Sequence, residues 1–518
     1  MKTKFRFLLL SLPVSLLLNA PLLASEFRLP LPKAPQGRFG FARYTLRDSD
    51  VRQGTLKPGA QLFNTHNGAM EFLTPIDDMK QLDELGALSH DATGFCGSMD
   101  YYPKGFSLAD TMSHVAPYFP PRAHFSDLET ILSDVQLAKM NTTIDTLGTY
   151  VTRFHRNELG QNAGTTVLQL WQNQLQSPAD WTIDPYTHIN TPQKSVIARL
   201  PGASADTVVL GAHLDSIASR TNYDAIAPGA DDDASGIAIL TEILRIIETR
   251  HLRFHRSIEL HGYAAEEVGL VGSREIATKY KSEARPIDAM LQFDMAYYSK
   301  NADNGLLFFL EDFTALDLTR SGIQWVKSYM GDVYKRGAMP RGAASDHKSW
   351  WEQGYPTLFP FENAEADNPY IHTANDTKDK FDDGTRMQRM VKFGLIFLAY
   401  EAGLESLDSP NAAEQNRLMQ ETIAKDLALA LTGTADHYTF AVSAPETTQY
   451  LEFCPMDSET DFRCSAERQR LTASELKKGR RIFYSTSDQV FKADDKWRIE
   501  AYDGSDTLLA RRQIQWQK

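Results

Sequence analysis

Cysteine is scarce: Cys96, Cys454 and Cys464 are the only three in 518 residues. So few thiols exclude a thiolate zinc cage, so any metal bound here must be held by His, Asp and Glu. In an oxidising compartment Cys454 and Cys464 are near enough in sequence to close a small loop, a bridge that typically contributes ~2–4 kcal/mol and would leave Cys96 unpaired. Positive charge is also in deficit, with 54 Lys and Arg against 67 Asp and Glu and a net charge of -13. Nucleic-acid and anionic-membrane partners both need clustered cations, so neither is expected. Internal repeats and low-complexity tracts are absent. Beyond the N-terminus no stretch approaches the ~20 apolar residues of a membrane span.

What is present begins with an export signal. Lys2, Lys4 and Arg6 precede the apolar stretch LLLSLPVSLLL, which ends in small residues around Ala24 and Ser25. A charged start, a short apolar core interrupted by Pro13 and a small-residue end read as a cleaved secretory signal over residues 1–25, rather than a retained anchor. The mature protein is therefore expected to be soluble and periplasmic or extracellular. At 42% hydrophobic and 23% charged residues the composition is that of an ordinary globular protein, and its length calls for two or three domains. Residues 26–122 are irregular and end in the proline-marked SHVAPYFPPR, a linker signal. From LETILSDVQLAKMNTTIDTL onward apolar strands alternate with amphipathic helices, which predicts an α/β domain over 123–407 with a largely parallel sheet. Past SLDSPN, short alternating runs from HYTFAVSAP to LLARRQIQW predict a β-rich domain over 408–518.

The chemistry lies where predicted strands end. His213 and Asp215 follow TVVLGA, Glu266 and Glu267 follow SIELHGYAA, Asp294 follows MLQF, and His372 lies in a loop after PTLFPF. Ligands of open α/β sheets bind at the carboxyl ends of the strands, so these groups should converge. Carboxylates gathered there repel one another unless a divalent cation joins them, and a mixture of imidazole and carboxylate favours zinc. His213 and Asp215 are two apart and share a strand face, so Asp215 can steady the far nitrogen of a metal-bound His213. PGADDDASG puts three aspartates in a turn ahead of the helical stretch GIAILTEILRIIETR. Capping that helix does not need all three, which leaves one able to bridge two metals. Glu266 and Glu267 leave the backbone in different directions, one suited to a metal and one to a general base. Singly, each piece has a bland reading: a surface turn, a cap, an exposed acidic pair. The remaining histidines, including His251 and His255, read as surface.

Taken in order, HLDS, GADDDASG, AAEEVG, an Asp-terminated strand and a late His resemble the zinc aminopeptidases of peptidase family M28, most closely the secreted bacterial leucyl aminopeptidases. The resemblance covers roughly residues 126–405. It implies a mixed, mainly parallel sheet flanked by helices, two Zn2+ ions, a monomer, and peptide substrates with a free N-terminus. It further implies that Asp232 bridges the metals, that His213 and Asp294 complete one and Glu267 and His372 the other. Glu266 would be the general base and Asp215 the support of His213. Met295, Phe359, Phe361 and Ile371 match the positions of an apolar pocket for a leucine-like first side chain. One departure stands out: close relatives have a tyrosine and a disulfide ahead of the Ser-Asp-His triplet, where this chain reads RGAASDH, with Gly342 and Ala344.

Residues 26–122 resemble, more loosely, the propeptide of these enzymes, around ALSHDATGFCGSMDYY. Such a segment assists folding or covers the site before removal, making the enzyme a zymogen, whereas the alternative is a permanent N-terminal domain. The β-rich C-terminus resembles accessory domains of secreted proteases in pattern alone. Two rival activities share the metal chemistry. A glutaminyl cyclase keeps many of the motifs. A carboxypeptidase needs a cation for the substrate carboxylate, for which Arg274 and Arg341 are the nearest candidates.

Overall fold

A computed structural model describes residues 34–106 and 125–404, apart from short gaps at 53–55, 67–68, 94–98, 126–127, 220–221, 300–304, 340–343, 365–367 and 382, together with strands between 428 and 515. The expected signal at 1–25, Cys96, Cys464 and Arg341 lie outside the described residues. The first unit is an antiparallel sheet of β1 (Gly40–Arg47), β2 (Gln61–His66), β3 (Ala69–Ile76) and β4 (Met99–Pro103), in the order β2-β3-β1-β4, with helices α1 (Asp48–Arg52) and α2 (Lys80–Thr93).

Three helices, α3 (Leu128–Leu132), α4 (Leu137–Leu147) and α5 (Ala163–Gln172), open the α/β part. Its main sheet uses β5 (Thr182–Tyr186), β6 (Ser195–Leu200), β7 (Ser204–His213), β8 (Arg256–Tyr263) and β9 (Ile287–Gln292). Beyond it come β10 (Leu307–Leu310), β11 (Tyr334–Gly337), β12 (Thr357–Leu358) and β13 (Pro360–Phe361). The order of the main sheet is β12-β9-β7-β8-β6-β5. Pairing is parallel from β12 through β8 and antiparallel for β8 with β6 and β6 with β5. The sheet is therefore mixed and mainly parallel, as expected.

Helices α6 (Ala234–Thr249), α7 (Val271–Ser282), α8 (Leu316–Met330), α9 (His347–Trp351) and α10 (Thr385–Leu398) flank these strands. Successive residues of β7 face opposite sides. Val208, Leu210 and Ala212 join the large core with α6 and α10, and Val209 joins a second cluster with Ile276 and Tyr280 of α7 and Trp350 of α9. A strand buried on both faces must be apolar throughout, which is why TVVLGA reads as a continuous run.

PTLFPF is not one strand. Thr357–Leu358 extends the main sheet beside β9, and Pro360–Phe361 crosses to a small sheet of order β11-β10-β13. Pro360 has no N–H with which to continue a ladder, so the chain changes sheets at Phe359.

Eight C-terminal strands form two antiparallel sheets: β14 (Ala428–Thr434), β15 (His437–Pro445), β16 (Tyr450–Met456), β17 (Gln469–Thr472), β18 (Glu475–Lys477), β19 (Arg480–Ser487), β20 (Lys496–Tyr502) and β21 (Leu508–Gln515). HYTFAVSAP coincides with β15, and LLARRQIQ with β21. No described helix is long and apolar enough to cross a membrane.

Candidate metal centre

The groups expected to converge do so. His213 ends β7, Asp232 lies in the turn before α6, Glu267 follows β8, Asp294 follows β9 and His372 occupies the loop after β13. All are buried or nearly so. Asp232 stands between two imidazoles: its Oδ1 is 2.9 Å from His213 Nε2 and its Oδ2 is 3.1 Å from His372 Nε2. His213 Nε2 is 3.6 Å from Asp294 Oδ1, and His372 Nε2 is 2.9 Å from Glu267 Oε2. Two groups of potential ligand atoms result, each spanning no more than 4.8 Å: His213, Asp233 and Asp294, and Asp232, Glu267 and His372.

The three consecutive aspartates divide the work among themselves. Asp231 accepts backbone N–H groups of Tyr297 (2.7 Å) and Tyr298 (3.3 Å) and the Asn368 amide (2.8 Å), tying the turn to the segment after Asp294 and to the loop of His372. Asp233 caps α6, accepting from Gly236 N at 2.8 Å, and also receives the N–H groups of His213 (3.1 Å) and Met295 (3.4 Å). With its oxygens so engaged by backbone donors, Asp233 is fitted to position the ligands around it. Asp232 alone presents both oxygens to histidines.

Asp215 serves two segments at once. His213 Nδ1 is 3.4 Å from its Oδ1 and 3.2 Å from its carbonyl oxygen. Its carboxylate also accepts the N–H groups of Glu266 (3.0 Å) and Glu267 (3.3 Å). One side chain therefore sets the imidazole and the paired glutamates in register. Ala265, Met295 and His372 carry φ angles of 55°, 52° and 55°, so three of the converging segments bend through the left-handed region at the site.

The electrostatics are those of a crowded anionic site. Burial raises the pKa of Glu266 well above the usual carboxylate range, with the charge of Glu267 adding to the effect. Burial alone would lower His213 and His372. Instead Asp294, Asp215 and Asp232 raise His213 well above its ordinary value, and Glu267 and Asp232 push His372 up to about 9. Asp294 Oδ1 is buried with no hydrogen-bond partner. A buried carboxylate oxygen without a hydrogen-bond partner and two imidazoles whose pKa the surrounding anions raise fit a site for a cation. Nitrogen and oxygen donors in this proportion fit zinc.

Met295, Phe359, Phe361 and Ile371 also come together, in one apolar cluster with Leu310, Ala364 and Met339. Arg274 does not reach this site. It is buried in ion pairs with Glu352 and Asp100 (3.2 Å to the latter), and so is not available to bind a substrate carboxylate. The surface reading of the remaining histidines fails for His155, His188, His261 and His347, all buried. Each has an acceptor or carboxylate against its ring, at Asp83, Glu275, Glu259 and the Asp312 carbonyl respectively.

Two residues of the site's framework were not found from the sequence. Buried Arg153 donates to the carbonyl oxygens of Leu214 (2.9 Å), Pro228 and Gly229 (2.8 Å), lashing the HLDS and GADDD turns together. Asp376 accepts the N–H groups of Asp231 (3.0 Å) and Asp232 (3.2 Å). Asp376 lies four residues past His372, so that loop's composition was a hint, whereas Arg153 sits far from every motif.

An α/β sheet with imidazoles and carboxylates massed at its strand ends has the architecture of a metal-dependent hydrolase. Residues 195–393 match the model of peptidase family M28. The probable leucine aminopeptidase of Arthroderma otae is 30% identical over 289 residues, covering 54% of this chain and 77% of that protein. Leucine aminopeptidase 1 of Sclerotinia sclerotiorum is 33% identical over 303 residues, covering 55% and 77%. Among solved structures, LapB from Legionella pneumophila is similar with a TM-score of 0.57 and 26% identity, over 69% of this chain and 98% of that one. The chain belongs to peptidase family M28 and is a hydrolase of peptide bonds.

Proposed function

We propose that the chain is an exported aminopeptidase that removes leucine-like residues from the free N-terminus of peptides, using two zinc ions. The observation that carries this reading is Asp232, with one carboxylate oxygen toward His213 and the other toward His372. A carboxylate so placed can be shared between two cations, one held with His213 and Asp294 and the other with Glu267 and His372. Zinc bound there supplies Lewis acidity toward the scissile carbonyl and lowers the pKa of a water. Glu266 acts as the general base. Its N–H is held by Asp215 and its carboxyl is buried, so it keeps a proton more readily than a solvated carboxylate does. It takes the proton of the attacking water and returns it to the leaving amine. Asp215 fixes the tautomer of His213.

Preference for the first residue comes from the cluster of Met295, Phe359, Phe361 and Ile371. Burying a leucine side chain there is worth about 1.5–3 kcal/mol over leaving it in water. The names of the curated relatives support the same specificity. The apparent signal sequence at residues 1–25 supports export to the periplasm or the medium, and we take the enzyme to act as a monomer.

Hydrolysis of a chromogenic leucine amide by the purified protein tests the reading. Activity should vanish with a chelator, return with zinc and be lost in Glu266→Ala. A zinc-loaded protein that cleaves no substrate with a free amine would sink it.

A further inference from the structure

Strand β4 lies against the turn that carries the paired glutamates. Tyr101 N–H donates to the Gly269 carbonyl at 3.1 Å, and the N–H groups of Gly269 and Leu270 donate to the Glu266 carbonyl at 2.9 and 2.8 Å. Gly269 has φ +104°, and a Cβ there would stand 3.0 Å from both Met99 Cε and Tyr101 N. The glycine of AAEEVG is thus required by the turn and also by the close approach of the N-terminal sheet.

Two buried charge clusters join the same surfaces. Asp100 on β4 contacts Lys348 Nζ and Arg43 NH2, each at 2.7 Å, and Arg274 NH2 at 3.2 Å. Arg274 also lies 4.3 Å from the centre of the Tyr102 ring, whose hydroxyl donates to Glu352 at 3.0 Å. At the other cluster Asp83 of α2 contacts Arg156 Nε at 2.9 Å and His155 Nε2 at 3.3 Å, and accepts the Tyr223 hydroxyl at 2.7 Å. In both, a carboxylate of the N-terminal unit meets cations of the α/β part, Lys348 and Arg274 at Asp100 and Arg156 at Asp83, with Arg43 of β1 adding a further cation at Asp100. Between them Tyr44, Phe72 and Leu85 pack with Phe154, Ile217 and Val268 in one apolar cluster.

We infer that residues 34–106 are retained in the working enzyme as a brace of the active site, with Asp100 as a positioning residue that holds the Glu266–Leu270 turn through Arg274 and β4. This deepens the aminopeptidase reading and rests on it. Removing the unit would take from Lys348 and Arg156 the carboxylates that neutralise them and bare an apolar face behind Glu266. Both are costs that favour keeping the segment in place. The expected boundary at residue 122 lies outside the described residues.

The test is the intact mass of the active protein recovered from an expressing culture, followed by Asp100→Asn in that form. The active form should still contain Gly40–Pro103. Asp100→Asn should lower kcat about tenfold with KM and zinc content little changed, and Asp100→Glu should recover part of the loss. Full activity in a form that begins after residue 122, or an unchanged kcat in Asp100→Asn, would overturn the brace. If every form is inactive, a retained mass with a lower melting temperature for Asp100→Asn upholds the brace while the aminopeptidase reading falls. Loss of residues 34–106 in that case would sink both.

Discussion

Glu266 and Asp232 are both buried acids, and their surroundings give them different tasks. Asp232 is pinned between two imidazoles, whereas Glu266 receives no such partner and keeps a raised pKa. Glu266→Gln should therefore lower kcat by about 10^2–10^4-fold while zinc content, read by atomic absorption, stays near that of the parent. Arg153 offers a contrasting case. Its planar fork binds three carbonyl oxygens on two metal-carrying turns, and lysine can keep the charge without the fork. Arg153→Lys should weaken zinc binding by roughly 10–100-fold, measured by competition with a chelating dye. The ligands were legible because carboxylates and histidines stood at the ends of apolar runs. Arg153 was not, because its role depends on which carbonyls the fold brings to it.

Helix α6 shows what the element scale adds. Its sixteen residues are nearly all buried, so the stretch GIAILTEILRIIETR announces itself as a core helix. Asp233 at its N-cap spans the helix, His213 and Met295, which makes the cap part of the metal centre. Gly236 leaves room for this: a Cβ there would stand 2.5 Å from Asp233 Oδ2 and 2.8 Å from the Phe293 carbonyl. Gly236→Ala should cost about 1–2 kcal/mol, the worth of a lost cap, seen as a lower urea midpoint at unchanged slope. It should loosen zinc as well, since the same carboxylate orients His213. Strand register was less legible than helix position. PTLFPF satisfies the pattern of a single strand, and only the sheets on either side of Phe359 determine that it divides.

For the whole molecule, the join between the N-terminal sheet and the α/β part governs response to acid. Burial alone would raise the Asp100 pKa, but Lys348, Arg43 and Arg274 hold it well below the usual carboxylate range. A pKa lower in the folded than in the unfolded state gives stability that is fully present above about pH 4. That contribution is lost as pH falls through the folded value. Melting temperature should thus be flat from about pH 5 to 7 as far as this group is concerned, and decline below about pH 4. Asp100→Asn should melt lower at neutral pH and lose much of that acid-side slope.

The strand–helix alternation of the α/β part, its largely parallel sheet and the set of groups at its strand ends were written in the sequence, whereas the four-stranded N-terminal sheet was not, since residues 26–122 read as irregular. Apolar periodicity and the placement of acids after strands are properties of short segments. What tertiary structure alone decided was the allocation among equals. Asp231, Asp232 and Asp233 are identical in kind and adjacent in the chain, and neighbours from 3 to 140 residues away assign one to the 297–298 backbone, one to the two histidines and one to the helix cap. The same holds for Asp100 and Gly269, whose partners lie across an interface that no local pattern encodes. Hydrogen bonds and ion pairs act over a few ångströms of space, and separation along the chain does not enter into them.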